Sequence, residues 1–368
     1  MMRHSPAGRR IQAGVFQPPA SHDNASRWSP VAARYFDSGT SALSVGIAEA
    51  LASRGKSGPA EVLLPAYACP NLVAAAVHAG ASHRFVDFRA GGSAPSADDL
   101  SANLAAGHIS VIVDFCGVPA ISGSSGDLIH DMAQSHAPFL AGWTPLARRT
   151  VVSFGRAKPV SLTLGGALLG DSGAAPVTPD EVKSASIQHR ARIYNLSLDP
   201  RVFGVLARLP FLGIGDTRYQ PLSGVRALAG DYPALVAAAV REFRLQQTAA
   251  VEGTRSALRF ATEQGLTLPF DVNLLPADLP LWRLPVLLDD AAQAEAFANA
   301  AAAFGVSRLY RKTLPEFLGV DSETARSRWP NAWHLSRTLV TLPTHGRLGD
   351  ADWAQLRRLL ENKKRNLT

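Results

Sequence analysis

Short apolar runs alternate with helical patterns between residues 38 and 170, as in a mostly parallel α/β sheet. Apolar runs bounded by polar, Gly or Pro positions predict strands at 61–64, 83–87, 108–115, 127–130, 150–154, 166–169 and 281–288. Apolar residues at intervals of three and four predict helices at 41–53, 72–79, 96–106, 232–264, 289–303 and 353–361. The helix over 232–264 is expected to join a large domain, residues 1–240, to a smaller C-terminal domain, residues 241–368.

Three segments interrupt the alternation. Residues 117–126 are rich in Gly, Ser and Pro and barely long enough for a parallel crossover, so we expect its helix to be reduced or absent. Residues 156–165 are expected to join two strands in a hairpin-like pair. Residues 176–228 carry Pro and Gly punctuation and are predicted to be a looser region.

The composition is that of a globular protein, with 46% hydrophobic and 18% charged residues in a chain of 368. No apolar run reaches the length of a membrane span, and the first 16 residues lack a secretory core, so a cytoplasmic location is expected without membrane association. The two cysteines, Cys69 and Cys116, fit a reducing compartment and predict neither a disulfide framework nor a zinc site.

The formal charge of +7 favours anionic partners. The basic residues are scattered and lack the interleaved aromatic residues that stack bases, so nucleic acid is not the predicted partner. A phosphorylated cofactor or a nucleotide-linked substrate would suit the same charge.

Four segments carry candidate chemistry in a fixed order: SGTSAL at 38–43, HDMAQS at 130–135, SFGRAK at 153–158 and GGALL at 165–169. Pyridoxal phosphate (PLP) chemistry needs a lysine, a carboxylate for the pyridine nitrogen, and donors for the phosphate, ideally at a helix start. Each segment alone is typical of a helix cap or a polar loop. Their co-occurrence in this order favours a PLP site.

Together these segments resemble the DegT-type (DegT/StrS) sugar aminotransferase family. LPAY at 64–67, FVD at 85–87, GVPA at 117–120 and LPTH at 342–345 extend the resemblance. The resemblance implies the α/β fold of fold-type I PLP-dependent transferases, which is aspartate aminotransferase-like. That fold has a large, mostly parallel α/β/α domain and a smaller C-terminal α+β domain.

The resemblance also implies roles for individual residues. Lys158 would form the Schiff base and later move the substrate proton, and Asp131 would pair with the pyridine nitrogen. Gln134, expected one helical turn further on, would face the phenolic oxygen of the ring. The implied phosphate ligands are Ser153 and, at the predicted helix start, Gly39, Thr40 and Ser41.

The sequence departs from the family pattern at the ring-stacking position. Cys69 stands where the family usually has an aromatic residue. Either Tyr67, two residues earlier, takes its place, or Cys69 packs its sulfur on the ring.

A second departure concerns the asparagine that reaches the phosphate of the neighbouring subunit in this family. Arg218 and Tyr219 occupy that stretch, and Asn195 is a more distant candidate. His345 matches a family histidine near the site entrance, and Arg156 is a candidate anion contact beside the lysine.

The function implied is a PLP-dependent aminotransferase. It would transfer an amino group from an amino acid, with glutamate as the expected donor, to a keto group of a nucleotide-linked sugar in polysaccharide or secondary-metabolite biosynthesis. A homodimer with active sites at the interface is expected. A dehydratase or lyase of the same fold is one alternative, although the sugar dehydratases typically have histidine in place of Lys158. A degenerate, non-catalytic member is the other.

Overall fold

The computed structural model describes residues 2–6, 9–17, 28–53, 61–105, 108–120, 125–170, 179–209 and 217–365. Its strands are β1 Ala33–Phe36, β2 Glu61–Pro65, β3 Ser82–Val86, β4 Ile109–Val113, β5 Ser125–Asp131, β6 Ala147–Ser153, β7 Gly166–Gly170, β8 Pro179–Val182, β9 Ala227–Gly230, β10 Arg283–Leu287 and β11 Leu339–Pro343. Its α-helices are α1 Gly39–Ser53, α2 Asn71–His78, α3 Ala97–Ala105, α4 Ser184–Ser197, α5 Pro200–Leu206, α6 Tyr232–Leu245, α7 Gln247–Glu263, α8 Ala291–Ala300, α9 Leu314–Phe317, α10 Ser322–Arg328, α11 Pro330–Thr338 and α12 Asp350–Arg365.

Nine strands form one sheet in the order β3-β2-β4-β5-β6-β7-β1-β9-β8. Strands β3, β2, β4, β5 and β6 are mutually parallel, whereas β7 runs antiparallel to both β6 and β1. The predicted hairpin-like pair is therefore confirmed. Strands β10 and β11 form a separate antiparallel pair.

Helices cover both faces of the large sheet. One core cluster joins α1 and α2 to the sheet through residues such as Ile47, Leu72 and Leu64. The cluster on the other face joins α4 and α6 through residues such as Ile187 and Val236. A third cluster holds β10 and β11 with α7, α8 and α12. The α/β/α sandwich with a C-terminal α+β part confirms the fold class that the sequence indicates.

Two of the predictions for the chain after residue 175 are wrong. The helix expected over 232–264 is divided into α6 and α7, because Gln246 leaves the helical conformation with φ −105° and ψ 6°. The region 176–228, predicted to be loose, contains α4, α5 and strand β8. The domain boundary at residue 240 stays a prediction, and that residue lies within α6.

The crossover between β4 and β5 contains one 3-10 turn, Phe115–Gly117, in its described part, where a regular unit would have a helix. Residues 121–124 of this connection lie outside the described residues. The part that the structure describes agrees with the expectation of a reduced crossover helix.

Candidate active site

The predicted site residues follow strands near the middle of the large sheet. Residues 37–40 follow β1. Asp131 is the last residue of β5 and Gln134 follows it, while Ser153 is the last residue of β6 and Lys158 lies in the loop after it. These three strands point the same way, because β7 is antiparallel to both β1 and β6, and β5 is parallel to β6. Their carboxyl ends therefore meet at one edge of the sheet, where open α/β sheets bind ligands.

A cavity of about 320 Å³ opens at this edge. Its volume lies at the small end of the range for small-molecule sites. The predicted site residues that line it are Gly39, Thr40, Cys69, Asp131, Gln134, Ser153 and Lys158. Two further predicted ligands, Ser41 and Tyr67, are buried beside the cavity and do not line it.

The start of α1 packs directly against the ends of β6 and β7. A Cβ atom on Gly39 would lie 2.9 Å from the Ser153 Cβ, and one on Gly166 would lie 2.5 Å from the backbone nitrogen of Gly39. Glycine is therefore needed at both positions for the backbone to approach so closely. The amide groups at the helix start and the Ser153 hydroxyl then border one space, which suits an anion such as phosphate.

A carboxylate, Asp37, also lies at this helix start and lines the cavity. The Ser41 hydroxyl donates to Asp37 Oδ1 at 2.6 Å and does not line the cavity. The resemblance implies instead that Ser41 is a phosphate ligand. Arg226 Nε lies 3.5 Å from Asp37 Oδ2. The guanidinium offsets part of the negative charge that Asp37 brings to a site for anions.

Asp131 is 6% exposed, and one of its two carboxylate oxygens is hydrogen-bonded to the backbone. Its Oδ1 accepts a hydrogen bond from the Ala133 backbone at 2.9 Å, and no described residue donates to Oδ2. Burial raises the pKa of Asp131, while the Ala133 N–H and the charges of Lys158 and His130 lower it. The net shift is upward, so a cation placed against Oδ2 would stabilise the ionised form.

A buried histidine–aspartate pair lies behind Asp131. His130 Nε2 is 2.7 Å from Asp114 Oδ1, and the two residues are 2% and 1% exposed. Burial alone would lower the pKa of His130, but the charge and hydrogen bond of Asp114 outweigh burial and raise it. A protonated His130 therefore favours the ionised form of Asp131.

Lys158 lies in the loop between β6 and β7, and this loop is strained and tied down. Ala157 and Thr163 have φ angles of 59° and 72°, a left-handed conformation that is unfavourable for residues other than glycine. Trp282 Nε1 donates to the Ala157 carbonyl at 2.8 Å, and the Lys158 Nζ lies 5.8 Å from the centre of the Trp282 ring. Trp282 thus fixes the loop that presents the lysine.

Gln134 lies in a tight turn, in which the Ser135 amide donates to the Met132 carbonyl at 2.9 Å. The prediction that a helix follows Asp131 is therefore wrong. The Gln134 Oε1 accepts from the Cys116 amide at 2.8 Å, and its Nε2 donates to the Tyr310 hydroxyl at 3.0 Å. Both ends of the amide are therefore engaged within the protein.

Cys69, and not Tyr67, reaches the cavity. Burial raises the pKa of the Cys69 thiol, and Tyr310 contributes a hydrogen bond to it. The Tyr67 ring is 1% exposed and lies edge-on to Tyr310, with its hydroxyl donating to the Tyr310 carbonyl at 3.0 Å. Tyr310 belongs to no recognisable motif, and no local pattern in the chain indicates that it supports both Gln134 and Cys69.

The remaining candidates lie away from the main cavity. Asn195 holds the backbone of Ile11, accepting from its amide at 2.9 Å and donating to its carbonyl at 2.8 Å. Tyr219 packs against the core beneath α1 and α2. Arg156 and Arg218 are exposed.

His345 is also outside the main cavity. Its Nε2 lies 3.1 Å from the Ser5 carbonyl oxygen of the N-terminal arm. It borders a smaller cavity that Lys158 shares.

The described part of the chain has no helix that is long and apolar enough to cross a membrane. It also has no group of three or more His, Cys, Asp or Glu side chains arranged to hold a metal ion.

The large, mostly parallel sheet with its antiparallel β7 matches the fold of fold-type I PLP-dependent transferases. Among solved structures the chain is similar to Spr1654 from Streptococcus pneumoniae, described as a sugar aminotransferase in its PMP form, with a TM-score of 0.65, 15% identity and 100% of each chain covered. It is also similar to a DegT DnrJ EryC1 StrS aminotransferase from Brucella abortus, with a TM-score of 0.59, 18% identity, and 91% and 87% of the two chains covered. The sugar aminotransferase CalS13 from Micromonospora echinospora gives a TM-score of 0.61 at 15% identity over 98% of each chain. No protein-family model and no curated protein matches the sequence.

Proposed function

We propose that this chain is a PLP-dependent aminotransferase of the DegT type, with Lys158 as the cofactor lysine. The observation that carries the proposal is a single cavity bordered by Lys158, by Asp131 and by the start of α1. These residues come from three segments distant in the chain, and each stands in the motif whose role it would fill. A shared fold alone would not supply this combination of side chains.

The residues present fit the cofactor. Asp131 Oδ2 would hold the protonated pyridine nitrogen, and this cation would stabilise a carboxylate whose pKa burial raises. The amides of Gly39 and Thr40 with the Ser153 hydroxyl would hold the phosphate, because Gly166 lets α1 approach so closely. When bound, PLP supplies an electron sink for carbanion chemistry. Lys158 Nζ would then accept and return the proton of the substrate carbon.

The contacts refine two predictions for the surroundings of the ring. Cys69 is the candidate for packing against the ring, since it lines the cavity and its raised pKa keeps the thiol neutral. Gln134 supports the cavity wall through Cys116 and Tyr310. The second N–H of the Gln134 side-chain amide is not used in these two hydrogen bonds, so it would be available to the phenolic oxygen.

The substrates proposed are an amino acid donor, with glutamate expected, and the keto group of a nucleotide-linked sugar. The structural neighbours are named as sugar aminotransferases, and the motif resemblance points to the same substrate class. A cytoplasmic homodimer with active sites at its interface is part of this proposal.

The test is cofactor uptake by the purified protein. Incubation with PLP should give a visible absorption band, and borohydride reduction should lock the cofactor onto Lys158, identified by peptide mass spectrometry. Addition of glutamate should bleach the band by converting the cofactor to its amine form. Lys158→Ala should abolish the covalent adduct, while Lys312→Ala, an exposed lysine, should leave it intact.

Two results would contradict the proposal in different ways. A protein that takes up no PLP would favour a degenerate binding protein. A protein that forms the adduct but responds to no amino donor would favour a lyase of the same fold.

A further inference from the structure

A second, smaller cavity of about 20 Å³ is also lined by Lys158. It is lined by Arg9, His136, Lys158, Pro159, Trp282, Thr344 and His345. We call it the Arg9 pocket. Because Lys158 borders both cavities, a group bound in the Arg9 pocket would lie next to the residue that reacts in the proposed function.

The lining of the Arg9 pocket is basic and contains no acidic side chain. Arg9 forms no ion pair with a carboxylate of the described residues, and burial together with the nearby charge of Arg347 lowers its pKa to about 10. Burial and Arg347 also lower the pKa of His345 to about 3. The pocket thus holds the positive charge of Arg9 without a counter-charge from its own walls.

Arg9 is held in place by its surroundings. Its guanidinium carbon lies 5.6 Å from the centre of the Phe243 ring, and the His136 ring stacks on the same phenylalanine with centroids 5.2 Å apart. Ile11 lies two residues after Arg9 in the chain, and the Asn195 side chain is hydrogen-bonded to both its amide and its carbonyl. The N-terminal arm therefore holds Arg9 in a fixed position at the pocket, and a preorganised side chain loses less entropy when it binds a ligand.

We propose that Arg9 and the pocket around it bind the α-carboxylate of the amino donor. This inference rests on the proposed function and adds a residue from the N-terminal arm to it. The α-carboxylate of an amino acid is attached to the carbon that bears the amine, so it would lie close to Lys158. An arginine recognises a carboxylate through two parallel hydrogen bonds.

The pocket is small, about 20 Å³, which favours a compact anionic group such as a carboxylate. The diphosphate of a nucleotide-linked acceptor is the other anion that the proposed substrates would bring, and the experiment below distinguishes the two.

The experiment compares Arg9→Met with Arg10→Met in the PLP-loaded protein. Methionine keeps apolar contact with Phe243 and removes the charge, and Arg10 is the exposed neighbour on the same arm. We expect Arg9→Met to weaken apparent glutamate binding, measured from bleaching of the PLP band, by roughly ten- to hundredfold. Calorimetry should show the same loss for glutarate, a dicarboxylate without an amine. Arg10→Met should match the wild type, and uridine diphosphate should bind all three proteins alike.

Other outcomes overturn the inference. Unchanged glutamate binding in Arg9→Met does so, as does a loss confined to uridine diphosphate, which would assign Arg9 to the nucleotide. A parallel loss of both ligands with a lower melting temperature would show that Arg9 is structural. If the wild-type protein takes up no PLP, the proposed function fails and this inference fails with it.

Discussion

The ionised state of one carboxylate, Asp131, depends on a few neighbouring residues. Burial works against its charge, while Lys158 and His130 favour it. His130 contributes because Asp114 keeps its pKa raised despite burial. The charges that act on Asp131 thus include a buried pair behind the cavity, in which His130 belongs to the HDMAQS segment and Asp114 to no motif.

The pair gives stability a pH dependence that His130→Gln should remove. The pKa of His130 is raised above 6.5 in the folded protein. Its protonation therefore stabilises the fold fully below about pH 6.5, and this contribution is lost as the pH rises through the folded pKa. We expect the difference in unfolding free energy between wild type and His130→Gln to be largest near about pH 6 and to shrink toward about pH 9. Each tenfold gain in the proton affinity of His130 on folding corresponds to about 1.4 kcal/mol of this difference.

Urea unfolding at stepped pH measures this difference. Buried histidines with lowered pKa, such as His136 and His345, are common to both proteins and cancel in the comparison. His189→Gln, an exposed histidine on α4, controls for the loss of an imidazole. A difference that grows with pH would contradict the assignment.

At the scale of single residues, the sequence predicts the candidate site residues that belong to motifs. It does not predict the residues that hold those side chains and loops in place. Asp131 and Ser153 can be found because they end strands, and Lys158 because it follows Ser153 at a recognisable spacing. Tyr310 and Trp282 are missed because their contacts cross long stretches of chain to Gln134 and the Ala157 carbonyl. No local pattern encodes such contacts.

At the scale of elements, local patterns predict the parallel strands well because each is a short, largely apolar run. They fail for α4, where the buried Ile187, Ala191 and Tyr194 lie on one face but form a narrow stripe among mostly polar residues. They also fail at the break between α6 and α7, because Gln246 is neither Gly nor Pro and gives no stop signal. Strand β1, Ala-Arg-Tyr-Phe, is too short and mixed to stand out.

The contact between α1 and β7 can be tested through Gly166→Ala. The added Cβ would lie 2.5 Å from the Gly39 nitrogen and 2.6 Å from its Cα, and backbone cannot rotate away as a side chain can. We expect the start of α1 to shift, with a loss of about 1–3 kcal/mol in unfolding free energy and weaker PLP binding. Urea unfolding and fluorescence titration with PLP measure the two effects.

Pyridoxal, which lacks the phosphate, distinguishes a local change at the phosphate-binding helix start from a general loss of folding stability. If the helix start binds phosphate, Gly166→Ala should weaken PLP binding more than pyridoxal binding. Gly224→Ala, where nothing lies within 4 Å of the added Cβ, should change neither ligand. Equal losses of PLP and pyridoxal would argue that the substitution acts on the whole fold.

At the scale of the whole molecule, the last third of the chain completes the site formed by the large sheet. Trp282 holds the lysine loop, Tyr310 holds Gln134, and the Leu314 amide donates to the Ala66 carbonyl at 2.7 Å. Residues on both sides of the predicted boundary at residue 240 therefore support the same cavity. A fragment without residues 241–368 would lack these supports for the cavity.

Asp87, the last residue of the FVD motif, links the large sheet to the C-terminal helix α11 by hydrogen bonds. One oxygen accepts from the Asn331 amide and side chain, both at 3.1 Å, and the other accepts from the Ala332 amide at 2.8 Å, so the carboxylate caps the start of α11. We expect Asp87→Ala to lower the unfolding free energy by about 1–3 kcal/mol, because it removes a cap and leaves donors unpaired. Urea unfolding measures the loss, with Asp289→Ala, an exposed carboxylate, as the matched control. Equal stability of the two variants would mean that the cap contributes nothing to the docking of α11.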